Sequence, residues 1–188
     1  MATSNTPFGL KYHSGSIQLI KVDITSSYAT ALYKGDCVAV VTAGTYERHT
    51  PGSGISGVCW AFVRSDGMMV SYVPASDTTY TYDAIINVHP DTLYVCQEDG
   101  DTTALLLTDM GHNANLVYTE TASTATGVSA MEIDSDSSDT TTTLDVHLFG
   151  LADWVEPDGS KTTFGTLANA KYFVKVHNFI HGNLGTGI

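Results

Sequence analysis

Basic side chains are scarce in this chain: 8 Lys and Arg stand against 20 Asp and Glu, for a formal net charge of -12. Phosphate binding depends on clustered Lys and Arg, so this balance argues against a nucleic-acid partner. It suits solubility, or a basic partner surface. Long apolar runs are missing as well. The longest, residues 58–63, falls far short of the roughly 20 residues that a membrane helix requires, so no membrane partner is expected. The opening MATSNTPFGLKYHSG has neither a basic n-region nor an apolar h-region and does not read as a secretory signal. Cysteine is sparse: Cys37, Cys59 and Cys96 are odd in number, lie inside apolar runs and form no CxxC. Buried thiols in a reducing compartment fit them better than a disulfide framework. Helical periodicity is also lacking, since no window of a dozen residues keeps apolar positions at i, i+3, i+4 and i+7.

Thr, Tyr, Val and Gly are plentiful, a mixture that suits pleated surfaces and turns. The 188 residues make one domain, long enough to bury roughly 70% of the surface of the unfolded chain. Residues 84–118 organise it. An apolar run, 84–88, is stopped by His89-Pro90-Asp91, because proline fixes φ and removes a donor. Residues 92–97 alternate Leu93, Val95 and Gln97 against Tyr94 and Cys96, the period of a half-buried strand. Asp99-Gly100 then predicts a tight turn into a third strand over 103–107. Elsewhere, 16–24 reads as a strand with a bulge, 37–41 as a doubly buried strand, and 58–64 with 68–73 as a hairpin around Asp66-Gly67. Strands are also expected at 128–133, 144–151 and 170–178. About ten short strands between turn signals predict an all-β, single-domain β-sandwich or β-barrel with extended N- and C-terminal arms. The expected division is an N-terminal arm over 1–15, a β-rich core over 16–177 and a C-terminal tail over 178–188.

Several patterns resemble chemistry without its context. Gly52-x-Gly54-x-x-Gly57 matches a dinucleotide fingerprint as a string, but proline precedes it and a strand follows, so it reads as a flexible loop. Asp134, Asp136, Ser138, Thr140 and Asp145 fall on calcium-loop positions, yet Asp139 occupies the glycine position and no helix flanks the loop. A solvated acidic loop is expected. His177 and His181 lie four apart, a spacing that converges on a metal only on a helix. No GxSxG elbow or local cysteine signature is present. No catalytic residue, metal or cofactor is therefore assigned, and the chain is not expected to be an enzyme.

Four blocks in order carry a family resemblance: NTPFGL (residues 5–10), SYATALYKGDCV (27–38), YVCQED with DMGHNAN and TGVSAMEID (94–99, 109–115, 126–134), and AKYFVKVHN (170–178). Together they resemble tailed-bacteriophage head decoration (cement) proteins, with Cys37 standing where that family commonly has proline. The resemblance implies a virion protein on the outer surface of the capsid, bound to the major capsid protein and stapling neighbouring capsomers. It implies self-association, as a homotrimer about a threefold axis or as a dimer at twofold positions. The ends would reach the shell, which makes Asn5, Thr6, Pro7, Phe8, Leu10, Tyr12, Asn178, Phe179, Ile180, Leu184 and Ile188 the candidate capsid and subunit interface. The alternative reading is a carbohydrate-binding β-sandwich of the virion, with Tyr80, Tyr82 and Trp154 as stacking platforms.

Overall fold

A computed structural model describes residues 5–101, 103–153, 155, 159, 161, 163–165 and 169–180. It is all-β: fifteen strands in antiparallel sheets, with two 3-10 turns as its helical content among the described residues. In chain order the strands are β1 (Lys11–Ser14), β2 (Leu19–Asp23), β3 (Leu32–Tyr33), β4 (Cys37–Val40), β5 (Tyr46–Arg48), β6 (Gly57–Arg64), β7 (Met69–Val70), β8 (Tyr72–Val73), β9 (Tyr82–Asn87), β10 (Leu93–Gln97), β11 (Asn113–Ala114), β12 (Leu116–Tyr118), β13 (Met131–Ile133), β14 (Val146–Leu151) and β15 (Lys171–Val176). One main sheet runs β1-β10-β15-β14-β11. The other runs β2-β9-β6-β4-β5, with β7 also paired to β6. Two-stranded ribbons, β3-β8 and β12-β13, lie beside them.

Both main sheets feed one hydrophobic core. Tyr94, Cys96, Val146, Leu148, Tyr172 and Val174 enter it from the first, and Val22, Cys37, Val38, Phe62, Ala84 and Ile86 from the second. Alternation explains most of this. In β14, Val146 and Leu148 are buried while Phe149 is exposed, and in β15, Tyr172, Val174 and Val176 are buried. The thiols of Cys37, Cys59 and Cys96 are buried and free, as small apolar side chains would be.

The break at His89-Pro90-Asp91 hands the chain from one sheet to the other. Strand β9 belongs to the second sheet and β10 to the first. Asn87 fastens the transfer: its Nδ2 donates to Thr92 Oγ1 (2.8 Å) and Tyr94 Oη (2.9 Å), and its Oδ1 accepts from Gln18 N (2.9 Å) and His89 N (3.2 Å). A buried carboxamide with both ends paired holds its place at little cost.

Two expectations need correction. Residues 103–107 form no strand; the segment ends in a 3-10 turn, Leu107–Asp109, and β10 pairs instead with β1 and β15. Glu98 is the physical reason. Its buried carboxylate accepts Leu105 N (3.2 Å) and Ala170 N (3.3 Å), drawing the segment across the sheet end and leaving the flank of β10 to β15. The second correction concerns residues 68–73. Met69–Val70 pairs with β6 around Gly67, as a hairpin should, but Tyr72–Val73 leaves to pair with β3.

Candidate functional site

The N-terminal segment is built onto the body. Leu10 is buried and its N–H donates to Gly35 O (2.9 Å), and β1 adds antiparallel to β10 with Lys11 opposite Val95 and Tyr12 opposite Tyr94. The crossing of residues 8–10 over Gly35 needs glycine on both sides. Gly9 has φ +65°, and a Cβ there would lie 2.5 Å from Ser129 Cβ and 2.6 Å from Gly35 O. Asn5 and Thr6 dock on buried Gln97, whose Nε2 donates to Asn5 Oδ1 (3.0 Å) and Glu132 Oε1 (2.8 Å) and whose Oε1 accepts Thr6 N (3.4 Å). Pro7 and Phe8 are half-buried.

Where this segment meets the core a cavity of about 350 Å³ opens, lined by Phe8, Leu10, Lys11, Tyr12, Lys34, Gly35, Cys59, Trp60 and Val128. Tyr12 and Trp60 meet edge to face at 5.8 Å, and Lys11 Nζ stands 5.9 Å from the centre of the Phe8 ring. Tyr12 is 37% and Trp60 36% exposed, so each keeps an apolar face toward solvent. The lining combines apolar residues, aromatic rings and two lysines.

Among the C-terminal candidates, Phe179 is buried and Asn178 and Ile180 are half-buried. Ile180 N donates to Ile55 O (2.8 Å), Ile55 N to Asn178 O (2.7 Å), and Asn178 Nδ2 to Ser53 O (3.1 Å). These residues clamp the 50–56 loop, at some distance in sequence from the N-terminal cavity. Leu184, Ile188, His181 and Trp154 lie outside the described residues.

Buried polar networks account for the patterns that suggested catalysis or metal binding. Asp145, fully buried, accepts Leu116 N (2.8 Å) and Gly52 N (3.2 Å) and lies 2.9 Å from His49 Nε2. Ser53 Oγ lies 3.0 Å from His49 Nδ1. The Ser53–His49–Asp145 order is that of a nucleophile, base and orienting acid, but His49 Nε2 makes no hydrogen bond despite its 2.9 Å approach to Asp145. Ser53 Oγ also sits 2.7 Å from Thr50 O and Ser53 N–H donates to the same carbonyl, and the cavity described above does not include Ser53. The group closes a turn. The Gly52–Gly57 string is part of that packed loop, since a Cβ on Gly54 would fall 2.6 Å from Ile180 Cγ1.

The calcium-like spacing does not converge. Asp145 belongs to the His49 network, and Asp136 is exposed. Among the described residues Asp134 groups instead with the carboxylates of Asp99 and Asp101, with oxygens within 4.8 Å of one another. Ser135 Oγ fills the space between, 3.1 Å from Asp99 and 3.0 Å from Asp101. Burial and neighbouring acids push the carboxyls of Asp99 and Asp134 up.

Three further acids are interior, Asp36, Glu98 and Glu132, and burial raises the last as it does the others. Asp36, fully buried, accepts Tyr33 N (2.8 Å) and the Tyr118 hydroxyl, and burial pushes its carboxyl up to about 6. Burial likewise raises Glu98 to about 7. Of the aromatics expected to stack sugars, Tyr82 is buried and Tyr80 carries the Arg64 guanidinium 4.1 Å over its ring.

Sequence reasoning placed Phe8, Leu10 and Tyr12 at an interface but missed Lys11, Lys34, Gly35, Cys59, Trp60 and Val128, which complete the cavity. They come from separate stretches that only the sheet topology unites. The available signal was a faint one: in a chain this poor in lysine, Lys11 and Lys34 each sit beside a tyrosine. No family model, curated protein or solved structure was found to match this chain.

Proposed function

We propose that this chain is a bacteriophage head decoration protein, attached to the outside of the assembled shell and bridging neighbouring major capsid subunits. One observation carries the reading: β1 is an open edge. Its inner side pairs with β10, no strand among the described residues pairs with its outer side, and all four of its residues are exposed. An exposed edge is a template for strand addition, in which main-chain hydrogen bonds give affinity and side-chain pockets give selectivity. The half-exposed rings of Tyr12 and Trp60 beside it supply apolar contact area. The order and extent of the four sequence blocks support the family, and a net charge of -12 suits an outer surface better than one facing packaged nucleic acid.

Weak contacts of this kind gain strength from repetition, because a self-associated protein engages several subunits at a raised effective concentration. A homotrimer fits threefold positions and a dimer fits twofold positions. The test mixes purified protein with undecorated heads, then measures sedimenting protein and the heat resistance of the heads. Saturable co-sedimentation with a gain in resistance is expected. Absence of both overturns the reading.

A further inference from the structure

The few cations of this chain are mostly committed. Lys21 pairs with Asp83, Arg64 with Asp66, Lys161 with Asp153 and Lys175 with Asp91, while Arg48 lies 4.0 Å over the Tyr118 ring. Lys11 and Lys34 both line the N-terminal cavity, and Lys34 has no carboxylate partner among the described residues. No Asp or Glu is among the described residues that line the cavity. In a chain of net charge -12, this is a local reversal of sign, and such a cleft attracts anions.

The rest of the lining narrows the ligand. A sugar would need planar polar side chains to meet its hydroxyls, and the described residues of the lining include no Asn, Gln, Asp, Glu, Ser or Thr. A bare phosphate would leave Leu10, Val128 and the aromatic walls unused. What matches is a negative charge borne on an apolar body. Lys11 and Tyr12 also belong to the open edge strand β1, so backbone pairing and side-chain insertion are available together.

We propose that this cavity seats an extended peptide segment of a partner protein in which an acidic residue stands next to a large apolar one. The apolar side chain packs against Trp60, Leu10 and Val128, and the carboxylate is held by the ammonium group of Lys34. The proposal rests on the docking reading above only for the identity of the partner. The side-chain chemistry follows from the cavity.

The probe is a capped seven-residue peptide of alternating glutamate and leucine, titrated calorimetrically into the full chain, with the glutamine-for-glutamate peptide as control. Lys34→Glu and Trp60→Ala are the variants, with circular dichroism confirming that each remains folded. The expected result is saturable binding of the glutamate peptide that weakens with salt. Binding weakens by about tenfold in Lys34→Glu and with the glutamine peptide, as loss of one close charge pair predicts. Trp60→Ala weakens it too, without changing its salt dependence. Absence of saturable binding overturns the proposal, as does equal affinity for both peptides or an unchanged affinity in Lys34→Glu. Because the titration contains no heads, its failure leaves shell attachment standing. Intact peptide binding without head co-sedimentation would instead remove the shell and keep the peptide site.

Discussion

Raising the pH from about 4.5 to about 8 should destabilise the fold, because buried carboxyls, Asp36 and Glu98 with the largest shifts, prefer to keep their protons. Asp36 is held at about 6 against an ordinary 3.8, and Glu98 at about 7 against 4.5, in both cases chiefly by burial. For an acid whose folded pKa lies above its unfolded one, the native state binds more protons between the two values. Stability therefore falls as pH rises through that window, and the loss is complete above the folded pKa. At about 1.4 kcal/mol per unit, each group contributes a decline of about 3 kcal/mol as an upper bound. Together they would remove a large part of the 5–15 kcal/mol typical of a domain.

Urea denaturation at closely spaced pH values measures the decline. Glu98→Gln supplies the control: its stability should fall less steeply between about pH 5 and 7, while the contribution of Asp36 and the general self-repulsion of an acidic chain persist. Below about pH 4 the lowered carboxyls of Asp66, paired with Arg64, and Asp77, bonded to Tyr82, work in the opposite sense. The test window therefore stays above that value. A flat or rising profile from pH 4.5 to 7.5, or an identical slope in Glu98→Gln, would refute the reasoning.

Asp145→Ala should cost about 3–5 kcal/mol, since it removes the carboxylate 2.9 Å from buried His49 and leaves the N–H groups of Leu116 and Gly52 without their acceptor; chemical denaturation checks it, and a loss under about 1 kcal/mol would contradict the network. Gly9→Ala should destabilise by about 1–3 kcal/mol, because the new Cβ needs positive φ and overlaps Ser129 Cβ and Gly35 O. Thermal melting reads that loss, and an unchanged midpoint would mean that the N-terminal crossing is not as described. The three thiols should resist a thiol reagent at about pH 8 in the native state and all react in denaturant, because burial pushes each well above its ordinary value. Rapid labelling of the native protein would show that the core opens.

Local patterns were legible in the sequence wherever side-chain alternation or a turn residue decided the outcome. The strands at 37–40, 57–64, 93–97, 146–151 and 171–176, the Gly67 hairpin and the break at Pro90 follow from period two, glycine and proline. What was not legible is pairing at a distance. Asp99-Gly100 has the chemistry of a hairpin turn, and Gly100 does take positive φ, but the buried carboxylate of Glu98 captures Leu105 N and redirects the chain. Asp145 read as the last calcium-loop position, at the start of the 144–151 strand on the face opposite Val146 and Leu148, yet it is fully buried beside His49, nearly a hundred residues upstream. The cavity was hidden for the same reason. Tyr12 and Trp60 touch only because β1 adds to one sheet while β6 lies in the other.

The position of β15 has a consequence for biosynthesis. It lies between β10 and β14, so the middle of the first sheet is filled by a strand made after every other described strand. Until residues 171–176 emerge, β10 and β14 have no common neighbour, and the apolar faces around Tyr94 and Leu148 wait uncovered. Closing loops of this length before the contacts form makes folding slow, on the order of milliseconds to seconds. A nascent chain stalled before β15 would present unpaired strand edges to any chain beside it, the condition under which β proteins aggregate.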